Sequence, residues 1–320
     1  MLTSRSESRI SPASRSVPRG VAASPGEVTH RAPAVWWLAA RPATLGASVS
    51  PVLAATAIAV HDHHVRTLPT LGALAVAVAM QVGVNFANDY GDFVRGADTT
   101  ARVGPLRAAA SGVVKPEHVR AAAIAAFGVA AASGVALSLA TDWRLILIGA
   151  LAVAAGWLYT GGPRPYGYLG LGEVFVFCFF GLFATAGTVY VNELRIPPAA
   201  WAAGCATGAL ACAILAINNL RDIVTDAAAG KRTLAVRIGR GRTRVLVAAC
   251  FATALIAPFV ASAAGWVPRF AALPLVTVSM MLGVLGSTAS QEPPVLIGAL
   301  KRTAVIEVWW ALLWTVGVLL

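Results

Sequence analysis

A chain of 320 residues that is 58% hydrophobic and only 12% charged lies outside the soluble range, where about half the residues are apolar and a quarter charged. With a mean hydropathy of +0.72, it reads as an all-α, polytopic membrane protein. Its formal net charge of +11 is topological in origin, as the placement of the cations shows below, and no nucleic-acid partner is expected.

Residues 1–34 are rich in Ser, Arg and Pro and lack an apolar run, which excludes a secretory signal peptide. They read as a disordered cytoplasmic tail. The acid-poor, arginine-rich composition also fits an organelle transit peptide or a misplaced start codon. Residues 35–320 are the membrane domain.

Nine segments are apolar enough to cross a bilayer: roughly 36–60, 68–89, 118–140, 143–161, 168–191, 198–220, 243–262, 269–287 and 303–320. Internal prolines such as Pro42, Pro51 and Pro258 are tolerated in membrane helices. Lysine and arginine set the orientation. With the N-terminus inside, only Arg66, Arg144, Arg195 and Arg269 of the 25 Lys and Arg residues lie outside. The N-terminus is therefore expected in the cytoplasm and the C-terminus outside. The inner cations would also attract anionic lipid headgroups and anionic substrates.

Two polar stretches follow spans 2 and 6 on the expected cytoplasmic side. The first, Asn88 to Arg107, reads NDYGDFVRGADTTARVGPLR, and the second, Asn218 to Arg237, reads NNLRDIVTDAAAGKRTLAVR. Carboxylates are rare in so apolar a chain, so two clusters of them point to function. Asp89 and Asp92 are spaced i, i+3, while Asn88/Asp92 and Asp222/Asp226 are spaced i, i+4, and each pair shares a helix face. Mg²⁺ prefers oxygen ligands and is usually held by one or two carboxylates plus phosphate oxygens. Two such arms can clamp one diphosphate through metal ions, with Arg102, Arg107, Lys231, Arg232 and Arg237 neutralising its remaining charge. The plainer alternative is a pair of solvated loops whose acids balance their arginines. There is no phosphate-binding P-loop and no dinucleotide glycine pattern. A metal-diphosphate clamp facing a lipid-accessible cavity suits a lipid diphosphate, whose loss of diphosphate leaves an allylic cation.

At these residues the chain resembles the UbiA superfamily of intramembrane aromatic prenyltransferases. The likeness covers about residues 36–320. NDYGDFVRGAD with RVGPLR, NNLRDIVTDAAAGKRTLAVRIG and YTGGPRPYGYLGLGE (Tyr159 to Glu173) resemble motifs of the branch that prenylates 1,4-dihydroxy-2-naphthoate. Arg41-Pro42-Ala43-Thr44 resembles the start of the first helix. The general superfamily pattern has a further Asp where this chain has Gly96, and the next acid is Asp98. That departure agrees with the naphthoate branch.

The resemblance implies nine helices, Mg²⁺, a polyprenyl diphosphate donor and 1,4-dihydroxy-2-naphthoate as acceptor, with loss of CO₂ to give demethylmenaquinone. It assigns catalysis to Asp89, Asp92, Asp222 and Asp226. Metal ligation falls to those four with Asn88, Asp98 and Asn219. Arg102, Arg107, Lys231 and Arg232 would hold diphosphate. Arg221 is either a substrate contact or the ion-pair partner of Asp222. Tyr159, Arg164 and Tyr166 contact the aromatic acid or cover the site, or form a structural turn set by the surrounding Gly and Pro. Arg41 reaches the site or anchors at the interface.

Glu173 and Glu307 are proton acceptors or structural acids. The His61-Asp62-His63-His64 run is expected to be a solvated outer loop. Trp309, Trp310 and Trp314 are expected to pack and anchor the last helix, and the four cysteines to be reduced, mostly buried thiols. Two other readings stay open: a related enzyme with another phenolic acceptor, and an ion-coupled transporter or lipid-binding protein. Transporter acids usually lie near the membrane midplane, whereas these acids lie at helix ends beside basic residues.

Overall fold

Helix length and helix breaks in this chain follow from where glycine, proline and polar runs interrupt apolar sequence. The computed structural model describes residues 34–98 and 107–320. The helices are α1 (Ala34–Thr44), α2 (Gly46–His61), α3 (Thr67–Val94), α4 (Pro116–Ala140), α5 (Leu145–Leu158) and α6 (Gly172–Glu193). They continue with α7 (Pro198–Arg221), α8 (Ile223–Ala228), α9 (Leu234–Ala263), α10 (Arg269–Ser287) and α11 (Pro293–Leu319). Among the described residues there is no β-strand.

Among the described residues, seven helices are singly long and apolar enough to span a membrane, and α1 with α2 makes eight if that bent pair is one span. The nine expected spans are therefore not all met by uninterrupted spanning helices. The expected first span is broken: α1 and α2 meet at 46°. Earlier in α1, Arg41 adopts the left-handed conformation (φ 54) just ahead of Pro42, a region that side-chain-bearing residues seldom enter. The expected fourth span, 143–161, is the 14-residue helix α5. At 1.5 Å per residue it reaches only about 21 Å, short of a hydrocarbon core of about 30 Å.

α7 is the central helix, packed by α9, α6, α11 and α2. Its buried residues are mostly small, including Ala203, Ala206, Ala209, Ala213 and Ala216. Small residues let membrane helices approach closely. α6 carries a π-helical stretch at Phe177–Phe183, and Gly181 within it lies against Gly204 and Gly208 of α7 with no room for a Cβ.

Trp310 and Trp314 are fully buried and stack with centroids 5.5 Å apart, while Trp309 is half exposed. Pro258 in α9 has no N–H to offer the Ala254 carbonyl four residues earlier. The Trp310 indole N–H donates to that carbonyl at 2.7 Å instead. Packing is thus the role of Trp310 and Trp314, and only Trp309 points outward.

One end of the bundle gathers Asp62, Arg66, Asp142, Asn192 and Arg195. The Arg66 backbone N–H donates to Asn192 Oδ1 at 2.7 Å, Arg195 pairs with Asp62 at 2.8 Å, and Tyr190 donates to Asp142 at 2.7 Å. His61 contacts Asp62 in the same region. The aspartate arms lie at the other ends of α3 and α7. The four cysteines are free thiols, two buried and two half-buried.

Candidate active site

The last turns of α3 put Asn88, Asp89 and Asp92 on one buried face, as their spacing requires. Each nevertheless has a different partner. Asn88 Oδ1 accepts from the Thr160 hydroxyl at 3.1 Å. Asp89 accepts the backbone N–H groups of Ala108 and Ala109 at 2.7 and 3.3 Å, and the Arg41 charge acts on it. Asp92 accepts from the Tyr168 hydroxyl at 2.9 Å and lies 3.2 Å from the Lys231 ammonium through both of its oxygens.

Beyond α3 the chain turns back on itself. Gly96 has φ +70, a conformation that favours glycine over side-chain-bearing residues. The backbone N–H groups of Ala97 and Asp98 then bond the Asp92 carbonyl at 2.9 and 3.2 Å. Arg107 bridges the result, 3.1 Å from Asp98 and 3.6 Å from Asp92. Arg102 lies outside the described residues.

The second arm begins where α7 ends. Asp222 closes α7 and opens α8; the Asp226 N–H bonds the Asp222 carbonyl and the Lys231 N–H bonds the Asp226 carbonyl, both at 2.8 Å. Arg221 donates to Asp222 at 2.7 Å and to Asn218 at 3.0 Å, so the ion pair is present. Asn219 turns to Glu173, donating at 3.0 Å. Arg232 is exposed, and its backbone N–H donates to the Tyr168 carbonyl at 3.2 Å.

Lys231 joins the arms. It is only 9% exposed. Burial works against its charge, but the carboxylates of Asp92, Asp226 and Asp98 outweigh that penalty and hold its pKa above the ordinary lysine value. Acids from both arms therefore act on one cation position.

The turn between α5 and α6 closes over this point. Tyr159 and Tyr166 stack edge-on with centroids 5.4 Å apart, and Tyr166 stacks on Phe175 at 3.9 Å. Phe179 and Phe183 continue the row along α6 at 6.1 and 5.2 Å, following i, i+4 spacing. An aromatic row thus runs from the turn along α6, ending at Phe183, which is exposed on the outside of the bundle. Arg164 is exposed on the turn. Tyr168 and Arg95 are site residues absent from the sequence reading; Arg95 donates to the Thr160 carbonyl at 3.0 Å and to that of Gly162. The sequence signal for Tyr168 was its place inside the stretch Tyr159 to Glu173, two residues after Tyr166.

The donor set of Asp, Asn and Tyr is hard oxygen and suits Mg²⁺ rather than a softer metal. Among the described residues no three His, Cys, Asp or Glu side chains converge as a ready-made metal cage. Instead the arms are drawn in by Lys231, Arg107 and Arg221. Mg²⁺ in diphosphate sites relies on one or two carboxylates plus phosphate oxygens, so a complete protein cage is not required for the fit.

Residues 48–295 match the UbiA prenyltransferase family. A relative from Mycobacterium tuberculosis, "1,4-dihydroxy-2-naphthoate octaprenyltransferase", is 43% identical over 280 residues, covering 87% of this chain and 94% of its own. The fold is that of a UbiA homologue from Aeropyrum pernix K1, with a TM-score of 0.64 at 16% identity over 85% of this chain and 96% of the other. A UbiA homologue from Archaeoglobus fulgidus, bound to DMAPP and Mg²⁺, superposes with a TM-score of 0.63 at 14% identity, covering 88% and 99%. This chain is a multi-pass membrane protein belonging to the UbiA prenyltransferase family.

Proposed function

We propose that the protein transfers a polyprenyl chain from a polyprenyl diphosphate to 1,4-dihydroxy-2-naphthoate in a Mg²⁺-dependent reaction. The observation that carries this reading is the convergence of both aspartate arms on the buried Lys231, supported by the naphthoate prenyltransferase relative at 43% identity. The carbon–oxygen bond to diphosphate breaks, and the electron pair leaves with the diphosphate. The ring carbon bearing the carboxylate forms the new carbon–carbon bond. CO₂ then leaves, returning its bonding pair to the ring and giving demethylmenaquinone at the quinol level.

Asp92, Asp98, Asp222 and Asp226 would hold Mg²⁺ directly or through water, as would Asn88, Asp89 and Asn219. Bound Mg²⁺ supplies charge that stabilises the departing diphosphate. Lys231, Arg107, Arg102 and Arg232 hold the diphosphate oxygens, and Arg221 keeps Asp222 oriented. Tyr159 and Tyr166 present aromatic surface to the acceptor and the allylic cation, and Arg164 with Arg41 offers charge to the acceptor carboxylate. The row Phe175, Phe179 and Phe183 lies along the prenyl chain.

The reading also places the arms and the N-terminus in the cytoplasm, residues 1–34 as a tail and 35–320 as the catalytic domain. Arg66 and Arg195, two of the four cations expected outside, sit together at the end opposite the arms, in line with the positive-inside rule.

Purified protein, Mg²⁺, a polyprenyl diphosphate and carboxyl-labelled 1,4-dihydroxy-2-naphthoate test the reading. Labelled CO₂ and a prenylated naphthoquinol should appear together. Product with 4-hydroxybenzoate or homogentisate instead would move the acceptor assignment, and no prenyl transfer to any phenol in folded protein would sink it.

A further inference from the structure

The turn between α5 and α6 carries one side chain that belongs to neither aspartate arm and touches both. Tyr168 donates its hydroxyl to Asp92 on the first arm at 2.9 Å. Lys231 of the second arm lies 5.1 Å from its ring centroid, and Arg95 lies 5.5 Å from the same centroid. Its carbonyl accepts the Arg232 N–H at 3.2 Å, so the backbone of the turn is also tied to the second arm. Gly170, at φ +73, ends the turn with the Arg237 side chain against it, which fixes how the turn approaches.

A carboxylate has about four lone-pair positions. A donor that occupies one of them sets where the rest point, and such supporting hydrogen bonds tune the ligand's hold on a metal. The Tyr168 hydroxyl can do this without adding positive charge, so it need not compete with Mg²⁺ as Lys231 and Arg107 do. The face of the same ring attracts the Lys231 ammonium, which must stay available to phosphate oxygens.

We propose that Tyr168 is a positioning residue that couples the two arms: its hydroxyl aims Asp92 at the metal, and its ring seats Lys231 beside the diphosphate. This rests on the clamp reading of the arms given above.

The test uses the full chain in lipid nanodiscs. Tyr168→Phe removes the hydroxyl alone, and Tyr168→Leu removes the ring as well. Binding of Mn²⁺ in the presence of inorganic diphosphate is followed by electron paramagnetic resonance, which needs no turnover. Steady-state kinetics are then run against Mg²⁺, the prenyl diphosphate and the naphthoate. Tyr168→Phe should weaken Mn²⁺ binding and raise the half-activating Mg²⁺ concentration by about tenfold. Its ligand-free unfolding temperature and its KM for the naphthoate should not move. Tyr168→Leu should in addition raise the KM for the prenyl diphosphate.

Wild-type Mn²⁺ affinity and Mg²⁺ response in Tyr168→Phe would overturn the proposal and leave the clamp intact. A loss of activity that follows a lowered unfolding temperature, with Mn²⁺ affinity unchanged, would overturn it too. Wild-type protein that binds no Mn²⁺ with diphosphate would instead remove the clamp itself.

Discussion

Lys231 lies 3.2 Å from both carboxylate oxygens of Asp92, across 139 residues of chain. Both side chains are buried, so each supplies charge balance to the other, together with Arg107 beside Asp92. Replacing Lys231 with Gln should lower kcat/KM for the prenyl diphosphate by about a hundredfold, the usual effect of removing one donor from a developing oxyanion. The raised pKa of Lys231 also fixes a sign. Its stabilising charge is fully present below the unfolded lysine pKa and is lost only as pH rises through the higher folded value. An alkaline activity limb near neutral pH should therefore be the same in wild type and Lys231→Arg; a limb that shifts between them would contradict the assignment.

Asp92→Ala and Asp222→Ala should each abolish prenyl transfer while leaving membrane insertion intact, because each removes a carboxylate from a different arm. Turnover and detergent-extractable yield check this. Near-normal rates in both variants would mean the arms do not form a clamp.

EDTA should stop turnover, and excess Mg²⁺ should restore it, since the hard-oxygen donors at the arms suit that ion. Full activity in metal-stripped buffer would count against Mg²⁺ dependence.

Trp310→Phe should destabilise the bundle by about 1–3 kcal/mol, because the Ala254 carbonyl, left without a backbone donor by Pro258, then loses its indole partner. Pro258→Ala in the same chain supplies a backbone N–H for that carbonyl, so the double variant should recover part of the loss. Thermal unfolding of Trp310→Phe, Pro258→Ala and the double variant in detergent decides it, and strictly additive effects would contradict the coupling.

Gly181→Ala should lower the unfolding temperature, since the new Cβ would run into the Gly208 backbone of α7; overpacking of this kind costs about 1–3 kcal/mol. Gly187→Ala in the same helix meets open space and serves as the control. Equal stability of the two variants would show that α6 can shift away from α7.

The membrane class, the positions of the apolar helices and the two polar arms at the ends of α3 and α7 were legible in the sequence. Each depends on local quantities: apolar run length, i, i+3 and i, i+4 spacing, and the sign of loop charge. The sequence therefore grouped Asn88, Asp89 and Asp92 correctly on one face. It could not say that Asp89 would turn to the backbone of Ala108 and Ala109 while Asp92 turned to the second arm.

Tertiary packing decided the rest. The pairing of Asn219 with Glu173 and the burial of Lys231 against Asp92 have no periodic signal in the chain. Tyr168 meets Asp92 across 76 residues and Lys231 meets it across 139. Such contacts exist only because the α5–α6 turn and the segment after α8 are both brought against the end of α3. Local patterning fixes which side chains share a helix face, and only the packing of helices against one another fixes which faces meet.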